Sequence, residues 1–164
     1  LHWVEASTAV DIESRLYDYL LKDDSDGKDF LGDFNHESLQ VFNSKGELYL
    51  QKRPDWKDIQ PGKWDTAVGG HIDLGENVET ALKREVKEEL GITDFTPELL
   101  TSYVFESTRE KELVFSHKTT YDGPIIPSEE LDGGRFWSLE EIRNNIGKEI
   151  FTPNFENEFQ KLGF

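Results

Sequence analysis

Three glutamates, Glu85, Glu88 and Glu89, stand within one helical turn of each other in the stretch Gly70 to Ile92, GHIDLGENVETALKREVKEELGI. Read as a helix at about 100° per residue, they share an arc of roughly 100°. Val78, Ala81 and Leu82 fall in much the same arc, so the carboxylates continue the face that the first turns bury. Like charges on an inward face repel each other and lose hydration. A divalent cation relieves both, and clustered hard oxygen ligands suit Mg²⁺, with Mn²⁺ as the alternative. A cation so placed neutralises the charge of a phosphorylated substrate and acidifies an attacking water. Gly69 and Gly70 come just before, and their lack of side chains lets a phosphate approach the backbone. Glu76 and Arg84 read as a salt bridge that fixes the intervening loop to the helix.

Other residue types could join this chemistry, each with a plainer role beside it. Glu129 and Glu130 precede the flexible run Asp132-Gly133-Gly134 and are candidates for a general base; Glu106 is a third choice, and Glu89 could itself orient the water. Arg53 is the first candidate for a substrate phosphate, followed by Lys52, Arg109 and Lys118; a solvated charge is the plain reading of each. Trp56, Trp64, Tyr103 and Phe105 could stack on a base or form core. His71, one residue past Gly70, could touch metal or phosphate, or simply hydrogen-bond in the loop.

The elements that must hold these residues follow from pattern. Leu39 to Phe42 and Leu48 to Leu50 flank the turn Asn43-Ser44-Lys45-Gly46, a hairpin signal. Residues 52–63 read as a loop, Trp64 to Val68 as a short strand, and 70–76 as a loop. The helix runs from about Asn77 to Leu90 and stops at Gly91. Leu99 to Phe105, Leu113 to Tyr121 and Arg135 to Trp137 are strand candidates. Ser138-Leu139-Glu140-Glu141 opens a helix to about Ile146, and Thr152-Pro153 opens a last one carrying Phe155, Phe159 and Leu162. Strands and helices mix without βα alternation, which predicts an α+β class. Ahead of this lie a helix over residues 11–22 and an acidic linker, so residues 1–35 are expected to be an accessory segment, such as an oligomer arm or a lid, and 36–164 the domain proper.

With 164 residues, 35% of them hydrophobic, the chain can bury a real core. A formal net charge of −16 speaks against nonspecific binding to nucleic acid or an anionic membrane, both of which need a basic surface. The absence of cysteine removes disulfide, zinc-thiolate and thiol chemistry. No apolar run approaches the roughly 18 residues of a membrane span, and a cytoplasmic protein is expected. The absence of methionine, even at position 1, suggests a processed or trimmed chain.

The spacing G-x5-E-x7-R-E-U-x-E-E-x-G-U (U apolar), met here at Gly70, Glu76, Arg84, Glu85, Val86, Glu88, Glu89, Gly91 and Ile92, resembles the Nudix box at every fixed position. The stretch from about Leu39 to Leu162 is similar to a Nudix domain, and FNSKGELYLQKR and PGKWDTAVGGHIDLGE resemble the branch related to isopentenyl-diphosphate isomerase. The resemblance implies an α/β/α sandwich with a mixed sheet. It implies Mg²⁺ held by the Gly70 carbonyl, Glu85, Glu88 and Glu89, with Glu88 and Glu89 in the chemistry and Glu130 or Glu129 in a loop that often faces the metal in relatives. Gly69, Gly70 and Arg53 would meet the substrate. The activity implied is hydrolysis of a diphosphate linkage in a nucleoside diphosphate joined to another moiety, or a related organic diphosphate. The partner is then a small molecule, with homodimerisation open. The isomerase motif W-x-x-x-V-C-G-H carries a cysteine where this chain has Gly69, which speaks against isomerisation. A non-catalytic Nudix ligand-binding or regulatory module, and an enzyme that binds isoprenoid diphosphates, are the alternatives.

Overall fold

The computed structural model describes residues 35–108 and 111–164. The helix expected over residues 11–22, the acidic linker and Arg109 lie outside the described residues.

Strand β1 (Asn35–Phe42) runs through the middle of a seven-stranded mixed sheet. It is parallel to β6 (Lys111–Thr120) and antiparallel to β4 (Val68–His71). Alternation along it separates two environments. Leu39 and Val41 pack toward helix α1 (Val78–Leu90), while Ser38 and Gln40 point the other way and are also buried. The expected hairpin to β2 (Leu48–Lys52) forms. Asn43 Oδ1 accepts from the amides of Lys45 and Glu47, and Gly46 takes a φ of 78°. The two strands pair only at Phe42 and Leu48 and then part. β2 goes on to pair with β3 (Trp64–Thr66) and β7 (Gly134–Trp137), and β5 (Glu98–Glu106) closes the far edge on β6.

The single strand expected over Trp64 to Val68 is therefore two strands with Ala67 between them, one on β2 and one on β1. Gly69, Gly70 and His71, expected to open a loop, are strand residues. Glycine pairs lack the side chains by which a strand is read, yet here their backbones lie opposite Ser38, Glu37 and His36.

Helix α1 covers one face over Leu39, Val41, Tyr49, Val68, Leu82, Val86 and Leu90. Helices α2 (Leu139–Asn145) and α3 (Pro153–Leu162) bury Ile142, Phe155 and Phe159 with Leu48, Leu50, Trp137 and Phe151 in a second core. Leu48 and Leu50 join the second core while Tyr49 joins the first, the period-two signature of a sheet covered on both sides. The helix starts are capped as the sequence indicates: Asn77, Ser138 and Thr152 each accept from the amide three residues on. Among the described residues no helix is long and apolar enough to cross a membrane.

Candidate metal and active site

Leu82, Val86 and Leu90 anchor α1 in the core and so fix which way its glutamates point. Glu85 and Glu89 turn toward the sheet. Glu88, expected inward with them, does not: its side chain is 60% exposed and lies 3.7 Å from Arg84. Glu88 sits at the edge of the shared arc, about 100° round from Glu89, where the helix surface already leaves the core.

Glu85 occupies a seat made by Gly70. A Cβ on Gly70 would lie 2.6 Å from the Glu85 carboxyl carbon. The bareness of Gly70 therefore serves the carboxylate rather than leaving free backbone for a phosphate. Gly69 faces the other side, and a Cβ there would meet His36 at an ordinary 3.6 Å. Arg84 ties the parts together. It donates twice to Glu76 at 2.9 Å, to Glu85 at 2.8 Å and to the His71 carbonyl at 3.3 Å. The loop support expected from Glu76 and Arg84 is thus present, and those bonds pull the Glu76 carboxyl down to about 2.

The inward carboxylates behave oppositely. Burial pushes Glu89 up to about 8, with Glu85, Asp65, Glu37 and Glu130 adding repulsion. Burial also raises Glu85, against its bond to Arg84. Glu37, on β1, is fully buried and raised to about 8 by burial and by Glu85. Among the described residues neither Glu37 oxygen has a hydrogen-bond partner, and neither does Glu89 Oε2. Buried acceptors left without donors are costly. An all-oxygen anionic cluster in this state fits a hard divalent cation.

Beside the cluster lies a cavity of about 290 Å³, which Glu89, Asp65 and Glu130 reach. Both Glu129 and Glu130 are exposed, but Glu130 is on its wall and Glu129 is outside the lining. Glu106 is exposed at the end of β5. Arg53 also lines the cavity, but its guanidinium is engaged with the carbonyls of Ile59 and Gln60 and lies 4.0 Å from Asp65, so it braces the 54–63 loop. Lys52 and Lys118 pair with Asp132 and Glu98. Trp64 packs on Trp137 in the second core, and Trp56 is 69% exposed. Tyr103 and Phe105 face the cavity. Tyr103 donates at 2.9 Å to Glu158, a buried α3 carboxylate that also accepts from Ser38 and Gln40.

On the cavity side, His36, His71 and Glu112 bring ligand atoms within 4.8 Å of one another. Burial, helped by His71, lowers His36 to about 4 and keeps its imidazole neutral. The sequence reading raised His71 but missed His36, Glu112 and Glu37. His36 and Glu37 come from β1 and Glu112 from β6, and only the pairing of β1 with β4 and β6 brings them beside His71 and the box. No spacing marks them; an ionisable pair at the start of the strand, His36-Glu37, was the available signal.

The NUDIX domain family model matches residues 38–155. A model for the anticodon-binding domain of class I tRNA synthetases (E and Q) matches residues 1–60, less than half of the chain, and overlaps the first where the chain forms β1 and β2. The chain is 34% identical to an uncharacterized Nudix hydrolase of Pseudomonas aeruginosa over 65% of its own length and 66% of that protein's. It is 28% identical to isopentenyl-diphosphate Delta-isomerase 1 of Photorhabdus laumondii over 80% of this chain and 81% of that one. The crystal structure of a MutT protein from Methanosarcina mazei superposes with a TM-score of 0.67 at 27% identity, covering 80% of this chain and 93% of that one. With the family model covering most of the chain and the full box seated on α1 and β4, the protein belongs to the Nudix hydrolase family.

Proposed function

We propose that the protein hydrolyses a diphosphate linkage, in a nucleoside diphosphate joined to another moiety or in a related organic diphosphate, with Mg²⁺ or Mn²⁺ as cofactor. The observation that carries this reading is the pair of inward carboxylates: Glu85, seated against Gly70, and Glu89, at the edge of the cavity with its Oε2 without a donor among the described residues. Glu85, Glu89 and the Gly70 carbonyl would hold the cation, with Glu88 at its solvent side only if it turns away from Arg84; the cation would supply charge neutralisation at phosphorus and a more acidic attacking water. Arg84 and Glu76 keep the loop and helix in register. Glu130, on the cavity wall and close enough to repel Glu89, takes the proton from the water as its oxygen bonds to phosphorus. The bridging P–O bond breaks and the leaving phosphate carries away the electron pair. Tyr103, Phe105 and Gly69 border the space left for the rest of the substrate.

The similarity to an isomerase does not bring its reaction along, because Gly69 stands at the thiol position and the chain has no cysteine. The test is a panel of nucleoside diphosphate sugars, dinucleotides and isoprenyl diphosphates assayed for metal-dependent release of a monophosphate. Activity that survives excess chelator, or no turnover of any member by folded, metal-loaded protein, counts against the reading.

A further inference from the structure

We propose that Glu37 is a fourth carboxylate of the cation site, supplied by the sheet rather than by the box. The proposal rests on the hydrolase reading above and extends it to a residue outside the motif. Glu37 lies directly opposite Gly70 in the antiparallel β1–β4 pair. Directly opposed residues on such a pair carry their side chains on the same face, with Cβ atoms about 4.5–5.5 Å apart. At Gly70 that position has no side chain and is filled by the carboxyl group of Glu85. Glu37 and Glu85 therefore meet across the strand pair, one rooted in β1 and the other in α1.

The next residues on this face of β1 are Leu39 and Val41, both fully buried in the core under α1. A third apolar residue would extend that packing without cost. The chain has a glutamate instead, with zero exposure and no hydrogen bond to either oxygen from any other described residue. Arg84 attracts it from a distance but gives it no hydrogen bond, since its donors go to Glu76, Glu85 and the His71 carbonyl. A proton alone would leave the other oxygen of Glu37 without a donor. A cation shared with Glu85 satisfies both Glu37 oxygens and the repulsion together.

The test is the affinity of the full chain for Mn²⁺ without substrate, measured by calorimetry on the wild type, Glu37→Gln and Glu37→Asp, with circular dichroism to confirm folding. The amide of Glu37→Gln keeps the shape and removes the charge. It should weaken Mn²⁺ binding about tenfold or more and reduce the rise in melting temperature that Mn²⁺ gives, while the metal-free variant melts no lower than wild type. Glu37→Asp keeps the charge on a shorter arm and should fall between the two. Wild-type Mn²⁺ affinity in folded Glu37→Gln overturns the proposal and identifies Glu37 as a buried acid that merely holds a proton. If Glu37→Gln does not fold, unchanged affinity in Glu37→Asp overturns it instead. A wild type that binds no Mn²⁺ at all defeats the hydrolase reading itself, a different result from a variant that binds as well as its parent.

Discussion

Glu89 and Glu130 make the sharpest contrast with their immediate neighbours. Glu89 is turned in and reaches the cavity, and Glu88 is turned out. Glu89→Gln should lower kcat by roughly 10²-fold or more, because a neutral amide loosens the cation where the chemistry occurs. An unchanged kcat at saturating Mg²⁺ would remove Glu89 from the mechanism. Glu130 lines the cavity and Glu129 does not. Glu130→Gln should cost about 10²–10⁴-fold in kcat, the usual worth of a general base, and Glu129→Gln almost nothing. If the double variant retains full rate, the base lies within the box. The two glycines of β4 differ just as plainly. Gly70→Ala forces a Cβ onto the Glu85 carboxyl group and should cost about 1–3 kcal/mol of stability, with weaker Mn²⁺ binding, whereas Gly69→Ala should fold and melt like the wild type. Equal melting temperatures for the two variants would refute the seat described for Glu85. What was readable in advance at this scale was whatever the motif wrote contiguously: Glu76, Arg84, Glu85, Glu89. Glu37, His36 and Glu112 were not, because strand pairing alone brings β1 and β6 residues beside the box.

At the scale of elements, helices were read closely and strands less so. Asn77, Gly91, Ser138 and Thr152 are local signals whose action is complete within one turn, so the ends of α1, α2 and α3 follow from the chain itself. The division at Ala67 is a tertiary decision. β3 and β4 are separate because β1 and β2 part company after one pair, and neighbouring residues cannot announce that. The junction of α1 with β1 carries a pH consequence. Glu37 and Glu89, both pushed up to about 8 mainly by burial, hold protons in the metal-free fold where the unfolded chain, at an ordinary 4.5, has released them. Between those values folding takes up protons, so stability falls as pH rises. His36, lowered to about 4 by burial, and His117, lowered likewise, work the other way below about 6.5, so in chelator the melting temperature should drop between about pH 6.5 and 8, and Mg²⁺ should largely remove the drop. A melting temperature that stays flat or rises across that window in chelator would show that the carboxylates are not strained by burial.

Over the whole molecule the acidic excess sets the approach of substrate. At −16, the chain repels a diphosphate except where a cation and a few basic groups intervene. Lowering the Debye length from about 30 Å to about 8 Å, by raising ionic strength from about 0.01 to 0.15 M, should therefore raise kcat/KM at constant Mg²⁺ saturation; a fall would mean that local attraction at the cavity outweighs the global field. The two-core architecture also separates duties. β1, β4 and α1 carry the carboxylates proposed to seat the cation, while the 54–63 loop, the segment around Glu130 and α3 form walls of the cavity. Gly69 lies on the boundary between them, looking into the cavity with ordinary room for a side chain, next to a glycine that has none. One position of β4 is therefore closed to any side chain and its neighbour is open to one. A single codon change at 69 would place a new functional group in the substrate space without disturbing the carboxylates behind it.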